Sequence, residues 1–147
     1  MPLTALVRQL QQVPLTGEVL ERSRRSDRLR LQGASRGARA LLASALARCE
    51  GAPLLVVVPT LEEAGRWAAL LELMGWPTTQ LYPTSEGSPY EGFDPTSEIT
   101  WGQLQVLSEL VEGDGWEGVI VATERALQPH LPPPAVLAAQ CLTLRKG

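Results

Sequence analysis

A single histidine, His130, occurs in the 147 residues, set among prolines with no Ser or Cys partner and no ligand spacing around it. It reads as a surface or turn residue rather than as a general base. The cysteines number two, Cys49 and Cys141, far apart and without metal-ligand spacing. Two free thiols in a reducing compartment is the simplest account, and no metal site is expected. No apolar run approaches the roughly 20 residues of a membrane span; the longest clear one is Leu54 to Val58. The start, Met1-Pro2-Leu3-Thr4, is where a natural chain can begin, and it lacks the basic segment, apolar stretch and small-residue cleavage site of an export signal. A cytoplasmic location is therefore expected. Neither a catalytic triad nor a carboxylate pair facing a plausible cleft emerges, so no catalytic residue is assigned.

Lysine is as scarce as histidine, Lys146 alone, so the positive charge is carried by arginine. The net charge of −3 conceals an asymmetry: residues 1–50 sum to +5 and residues 51–147 to −8. Six arginines lie between Arg24 and Arg39, opposed in the sequence only by Asp27. Such a cluster fits a nucleic-acid or anion patch. It equally fits a solvated helix face and turn in a sequence that favours arginine over lysine. No aromatic residue interleaves with the arginines, as a stacking platform for bases would require.

Against this background one segment stands out, Gly33-Ala34-Ser35-Arg36-Gly37-Ala38-Arg39-Ala40. It lies between a strand-like run, Leu29 to Leu31, and an Ala/Leu-rich helical run, where a nucleotidase carries the phosphate loop G-x-x-x-x-G-K-[ST]. With Gly33 on the first glycine, Ala38 replaces the second, Arg39 the lysine and Ala40 the hydroxyl residue that would hold Mg²⁺. Arginine is not a substitute for the compact ammonium. A strand carrying the second nucleotide element should end in Asp, yet Val121-Ala122-Thr123 ends in a small residue and a hydroxyl. Glu124, next in line, reads as a first-turn acid favoured by the helix dipole. The segment is thus a vestigial phosphate loop, with Gly33, Ser35, Gly37, Ala38, Arg39 and Ala40 as its residues. One of Gly33 and Gly37 is expected to keep a positive φ.

The periodicities describe an α/β protein. Leu3, Leu6, Val7 and Leu10 recur at helical spacing up to Pro14, and a second helix is expected over 17–25 with Val19 and Leu20 inward. Strand 29–31 leads to the loop and to a helix burying Ala38, Leu41, Leu42, Ala45, Leu46 and Cys49, which ends at Gly51. Leu54 to Val58 reads as a central parallel strand buried on both faces. Thr60 and Glu63 form a capping box opening a helix that buries Leu61, Ala64, Trp67, Ala68, Leu71 and Met74. A strand over 78–82 closes at Pro83. After a loop over 84–93, Asp94 and Pro95 open a helix with Ile99, Gln103/Leu104, Leu107, Leu110 and Val111 inward. Val119 to Ala122 is a further buried strand, and Thr123 caps a short helix through Leu127. The alternation implies a parallel sheet flanked by helices. Four parts are expected: a helical segment over 1–28, an α/β lobe over 29–128, a Pro-rich linker over 129–140, and at 141–147 the start of a following domain.

Four stretches carry a family resemblance: the loop 33–40; Leu54-Leu55-Val56-Val57-Val58-Pro59 with Ala64; Leu81-Tyr82-Pro83 with Glu86, Pro89-Tyr90-Glu91, Phe93 and Pro95; and Val119 to Thr123 with Ala126-Leu127. From about Leu31 onward the chain resembles the N-terminal lobe of the bacterial transcription-repair coupling factors (the Mfd family), a degenerate P-loop, RecA/UvrB-like lobe similar to the first domain of the excision-repair protein UvrB. The resemblance implies a nucleotide excision repair factor that recruits UvrA and uses a separate C-terminal motor, with ATP and Mg, to displace stalled RNA polymerase from damaged DNA. It also implies that the lobe itself needs no cofactor and is not an enzyme. Its partners would be other domains of the same protein, UvrA mainly through the following domain, and RNA polymerase and DNA through the parent protein, with no membrane involved. The UvrB hairpin that clamps DNA has no room between Tyr90 and Ile99.

Glu86, Pro89, Tyr90, Phe93 and Pro95 form the family's loop motif. With Trp101 nearby, Tyr90 and Phe93 have the chemistry to stack on bases, or to fold the loop onto the sheet edge; Glu86 and Glu91 would repel phosphates. The function expected is a non-catalytic scaffold lobe of a transcription-coupled repair factor. The alternatives are a P-loop-like NTPase and an Arg-mediated DNA-binding module.

Overall fold

The computed structural model describes residues 3–26, 28–84, 98–112, 116–128 and 131–141. In chain order the elements are helices α1 (Leu3–Gln11), α2 (Pro14–Arg25) and α3 (Arg36–Glu50), strand β1 (Leu54–Val58), α4 (Leu61–Leu73), β2 (Thr79–Tyr82), α5 (Glu98–Glu112), β3 (Val119–Thr123), a 3₁₀ turn (Arg125–Leu127) and α6 (Pro134–Gln140). The strands form one parallel sheet in the order β1-β3-β2. Leu54 to Val58 pair with Val119 to Thr123, and Thr79 to Tyr82 with Val119 to Ala122. This is the α/β class with a helix-flanked parallel sheet that the alternating pattern implies.

The period of two along β3 divides the core. Val119 and Val121 join Val56 and Val58 against α1, α3 and α4, where Val7, Ala40, Ala45, Ala64, Ala68, Leu71 and Met74 are buried. Ile120 and Ala122 face the other way, into a smaller cluster with Tyr82, Val106 of α5 and Ala126. α1 thus shares the principal core with the loop-derived helix α3.

Several expectations are corrected. The strand at Leu29 to Leu31 is absent: 28–32 is irregular, and both leucines are exposed. The segment therefore contributes nothing to the sheet. β1 is an edge strand rather than a central one, with Leu55 55% and Val57 46% exposed. A continuous apolar run signals burial only where layers cover both faces, and β3 is the strand that meets that condition. α2 starts three residues early, with Pro14 in its first turn, where a missing N–H costs nothing. The prolines of 129–140 do not exclude regular structure, because Pro134 opens α6 in the same manner.

Two helices are rotated from their expected faces. α3 buries Ala40, Ser44, Ala45 and Ala47, while Ala38 and Cys49 are exposed. A face of small side chains allows the helix to lie close to its neighbours, so the leucines are displaced to its flanks. α5 buries Val106 and Thr100, leaving Leu104 and Leu110 exposed. The helix start expected at Asp94 and Pro95 lies outside the described residues.

Tyr82 closes β2 in the smaller cluster, and burial raises its phenol above the ordinary value of 10.0. The folded chain therefore holds this proton more tightly than the unfolded chain. The associated stability is complete below pH about 10 and is lost as pH rises through the folded value. Tyr82→Phe is expected to flatten the alkaline fall in melting temperature. An unchanged alkaline profile would show that another group sets it.

Candidate functional site: a self-satisfied loop at the head of α3

Gly33 takes a φ of 73°, the left-handed conformation in which a Cβ is strained. It turns the chain into Ser35, whose extended backbone and side chain cap α3: Ser35 Oγ accepts from the Ala38 N–H at 3.3 Å, and its carbonyl accepts from Arg39 N–H at 3.0 Å. Gly37 lies within the helix. The expectation of one positive φ is met at Gly33.

The residues in place of the phosphate ligands are turned to other uses. Arg39 Nε donates to the Ala34 carbonyl at 2.9 Å, so the guanidinium folds back onto its own loop. Ala40 has no exposed surface and packs in the core. Where a nucleotidase would present a hydroxyl to Mg²⁺, this chain presents a methyl to the sheet.

The neighbouring contacts are ionic. Arg36 makes a two-pronged bond to Glu63, Nε to Oε2 at 3.1 Å and Nη2 to Oε1 at 2.5 Å. Glu63 also receives Arg66 at 3.6 Å, and Arg66 pairs in turn with Glu62. Thr60 caps α4 as expected, its Oγ1 accepting from Glu63 N–H at 3.2 Å. The carboxylate of that capping box is committed to Arg36. Sequence reasoning missed this pair, since nothing in a one-dimensional pattern joins positions 27 residues apart.

At the end of β3, Thr123 Oγ1 accepts from Ala126 N–H at 3.2 Å, while the Glu124 N–H donates to Val58 O at 3.0 Å. Thr123 thus caps the short helix, here a 3₁₀ turn. Glu124 is exposed. The heads of α3 and α4 and the ends of β1 and β3 gather at the carboxyl edge of the sheet, where open α/β folds bind ligands. Among the described residues, no group of three or more His, Cys, Asp or Glu could hold a metal ion. A shallow pocket of about 160 Å³, lined by Arg48, Gly51, Gly75, Trp76 and Glu117 among others, lies at the opposite end of α3. Glu86, Pro89, Tyr90, Phe93 and Pro95, with His130, lie outside the described residues. Cys49 and Cys141 are free thiols, as expected.

Transcription-repair-coupling factors from Mycobacterium bovis and Mycobacterium tuberculosis are each 34% identical to this chain over 97% of its length. The chain is similar to a transcription-repair-coupling factor almost from end to end. It spans 12% of the length of those relatives. The expected resemblance to the transcription-repair coupling factors is thereby shown, and the match takes in nearly the whole chain rather than only the part from Leu31 onward. No family model and no solved structure matches the chain. No helix among the described residues is long and apolar enough to cross a membrane.

The two loop glycines differ in what they require. Gly33→Val should lower stability by about 1 kcal/mol, because no relief of the positive φ is available. Gly37→Ala, in a helix with nothing within 4 Å of an added Cβ, should raise it by about 0.5–1 kcal/mol. Urea unfolding of both variants checks this. Equal effects of the same sign would mean the turn does not depend on Gly33.

Proposed function

We propose that this chain is a non-catalytic scaffold lobe within a transcription-coupled DNA repair factor. The family-level part of this reading follows from the similarity to transcription-repair-coupling factors. The non-catalytic part rests on one observation, that residues of the loop at the head of α3 are already bonded to one another. Ser35 occupies the Ala38 N–H, Arg39 is folded onto Ala34 O, and Ala40 is sealed in the core. Nucleotide binding would have to displace these bonds, and it would gain neither a lysine nor a Mg²⁺ hydroxyl in return.

In this reading the longer protein is an ATP-dependent DNA translocase that displaces stalled RNA polymerase with a separate motor and recruits UvrA mainly through the domain after this lobe. ATP and Mg belong to that motor. The present lobe is the base from which its neighbours project, and the ionic contacts of Arg36 with Glu63 hold the heads of two of its helices together.

Millimolar Mg-ATP is expected to leave the melting temperature unchanged, because any ligand that binds the native state alone must raise it by mass action. Phosphate release is expected at the buffer rate. A clear rise, or steady release above the blank, would restore the NTPase reading.

UvrA should bind residues 1–147 weakly or not at all, and a longer chain through the following two domains tightly, since affinity concentrates in a few central contacts. Calorimetric titration of both chains against UvrA distinguishes the outcomes. Equal affinity would make this lobe the recognition element.

A further inference from the structure

The arginines from the end of α2 to the head of α3 lie on a connection that runs from one end of α3 to the other. Arg24 at the end of α2 bonds Glu50, the last residue of α3, with Nη2 to Oε1 at 2.8 Å. Ser35 caps the opposite end of the same helix. The connection between them must therefore run back along α3, whose 15 residues extend about 22 Å at 1.5 Å per residue. Ten intervening residues reach at most about 35 Å when fully extended, so they span the helix with length to spare. The backbone over 28–33 on this path is irregular and exposed.

Along this path the arginines divide by what they already hold. Arg24 and Arg36 are bonded to Glu50 and Glu63, and Arg25 lies 3.7 Å from Glu21. Arg22, Arg28 and Arg30 are exposed, and among the described residues none of the three side chains has a hydrogen-bond or ionic partner. Arg39 is exposed at the far end, with only its Nε engaged. The result is a ridge of guanidinium groups along the roughly 20 Å of α3, without an ionic partner among the described residues and with Asp27 as the only acid in the sequence from 22 to 39, on a chain whose other residues carry the excess of acid.

We infer that this ridge is a contact surface for the phosphate backbone of duplex nucleic acid, independent of base sequence. A duplex presents one phosphate per strand every 3.4 Å or so, so the ridge spans the length of about six base pairs. Guanidinium groups presented on an exposed, irregular segment along α3 can meet that array with charge-assisted bonds. The absence of any aromatic residue from 22 to 39 removes the stacking platforms that single strands use. Because the whole chain is negative, attraction for a polyanion must arise locally, so removing the ridge removes the binding. Leu29 and Leu31, exposed between the arginines, are the feature that an acidic polypeptide would exploit instead.

The experiment is fluorescence anisotropy with a short labelled DNA duplex of mixed sequence, titrated with residues 1–147 at several salt concentrations. Three neutralised phosphates predict a log–log salt slope of about −2.7, equivalent to about 40-fold weaker binding between roughly 50 and 200 mM salt. Arg22→Ala/Arg28→Ala/Arg30→Ala should abolish binding at low salt. The corresponding triple Lys variant should retain both affinity and slope, since point charges suffice for backbone contacts. The substituted side chains are exposed and unbonded, and an unchanged melting temperature will confirm an intact fold. No binding at low salt, or a triple Ala variant with the parent's affinity and slope, overturns the inference. Binding of labelled polyglutamate more tightly than the duplex also overturns it and assigns the ridge to an acidic protein partner.

Discussion

A parallel strand with all five residues buried needs strands at both edges and helices on both faces, and β3 imposes that requirement on the rest of the chain. Its neighbours β1 and β2 satisfy the backbone on either side, with Leu54 N–H donating to Gly118 O at 3.0 Å and Val119 N–H to Thr78 O at 2.9 Å. Val119, Ile120 and Val121 each contribute about 1.5–3 kcal/mol when fully withdrawn from water. Because they alternate, the gain is divided between two helical layers, α1, α3 and α4 on one side and α5 on the other. The edge strands need not satisfy the same condition, which is why β1, equally apolar, keeps Leu55 and Val57 at the surface.

The larger layer is pinned by a buried polar clasp. Trp76 Nε1 donates to Ser44 Oγ at 2.9 Å, and the Ser44 hydroxyl faces Met74 Sδ at 3.5 Å. Arg48 lies over the Trp76 ring at 5.1 Å and donates to the carbonyls of Met74 and Gly75 at 3.2 and 2.7 Å. A Cβ on Gly75, whose φ is 78°, would come within 2.3 Å of Thr4 on α1. The turn after α4 is thus where α1 and α3 meet the segment leading to β2. Ser44 is admitted to the core only because the indole N–H needs an acceptor there.

What was legible in the sequence follows from which forces are local. The caps at Thr60 and Thr123 depend on residues three apart, and the stop at Gly51 on one position, whereas the cap at Ser35 was read only as part of the loop. β1, α4, β2 and β3 carry their periods within single runs. The facing of α3 was not legible, because a core that selects Ala40, Ser44 and Ala47 over larger leucines is choosing close approach, a property of the neighbours. The strand expected at Leu29 to Leu31 failed for a related reason. Alternating Arg and Leu has the period of a strand, but pairing requires a partner edge, and the segment joins neither outer edge of the sheet, β1 or β2. For the loop, the departures from the phosphate-loop pattern at positions 38, 39 and 40 were plain; the bonds Arg39 makes to Ala34, and its neighbour Arg36 to Glu63, were not.

Those bonds bear on why the loop retains its turn. In a phosphate loop the N–H groups at the helix head await an anion, and leaving them bare in the protein's own fold would cost stability. Here the Ser35 Oγ accepts from the Ala38 N–H as an anion would, and the Arg39 guanidinium instead donates to the Ala34 carbonyl. The positive φ at Gly33 survives because it delivers Ser35 to the cap, not because a ligand must approach. Arg36, one residue on, is thereby placed within reach of Glu63, so the same turn that caps α3 also couples it to α4. The turn thus has a mechanical use that does not depend on any nucleotide: it caps α3 and couples it to α4.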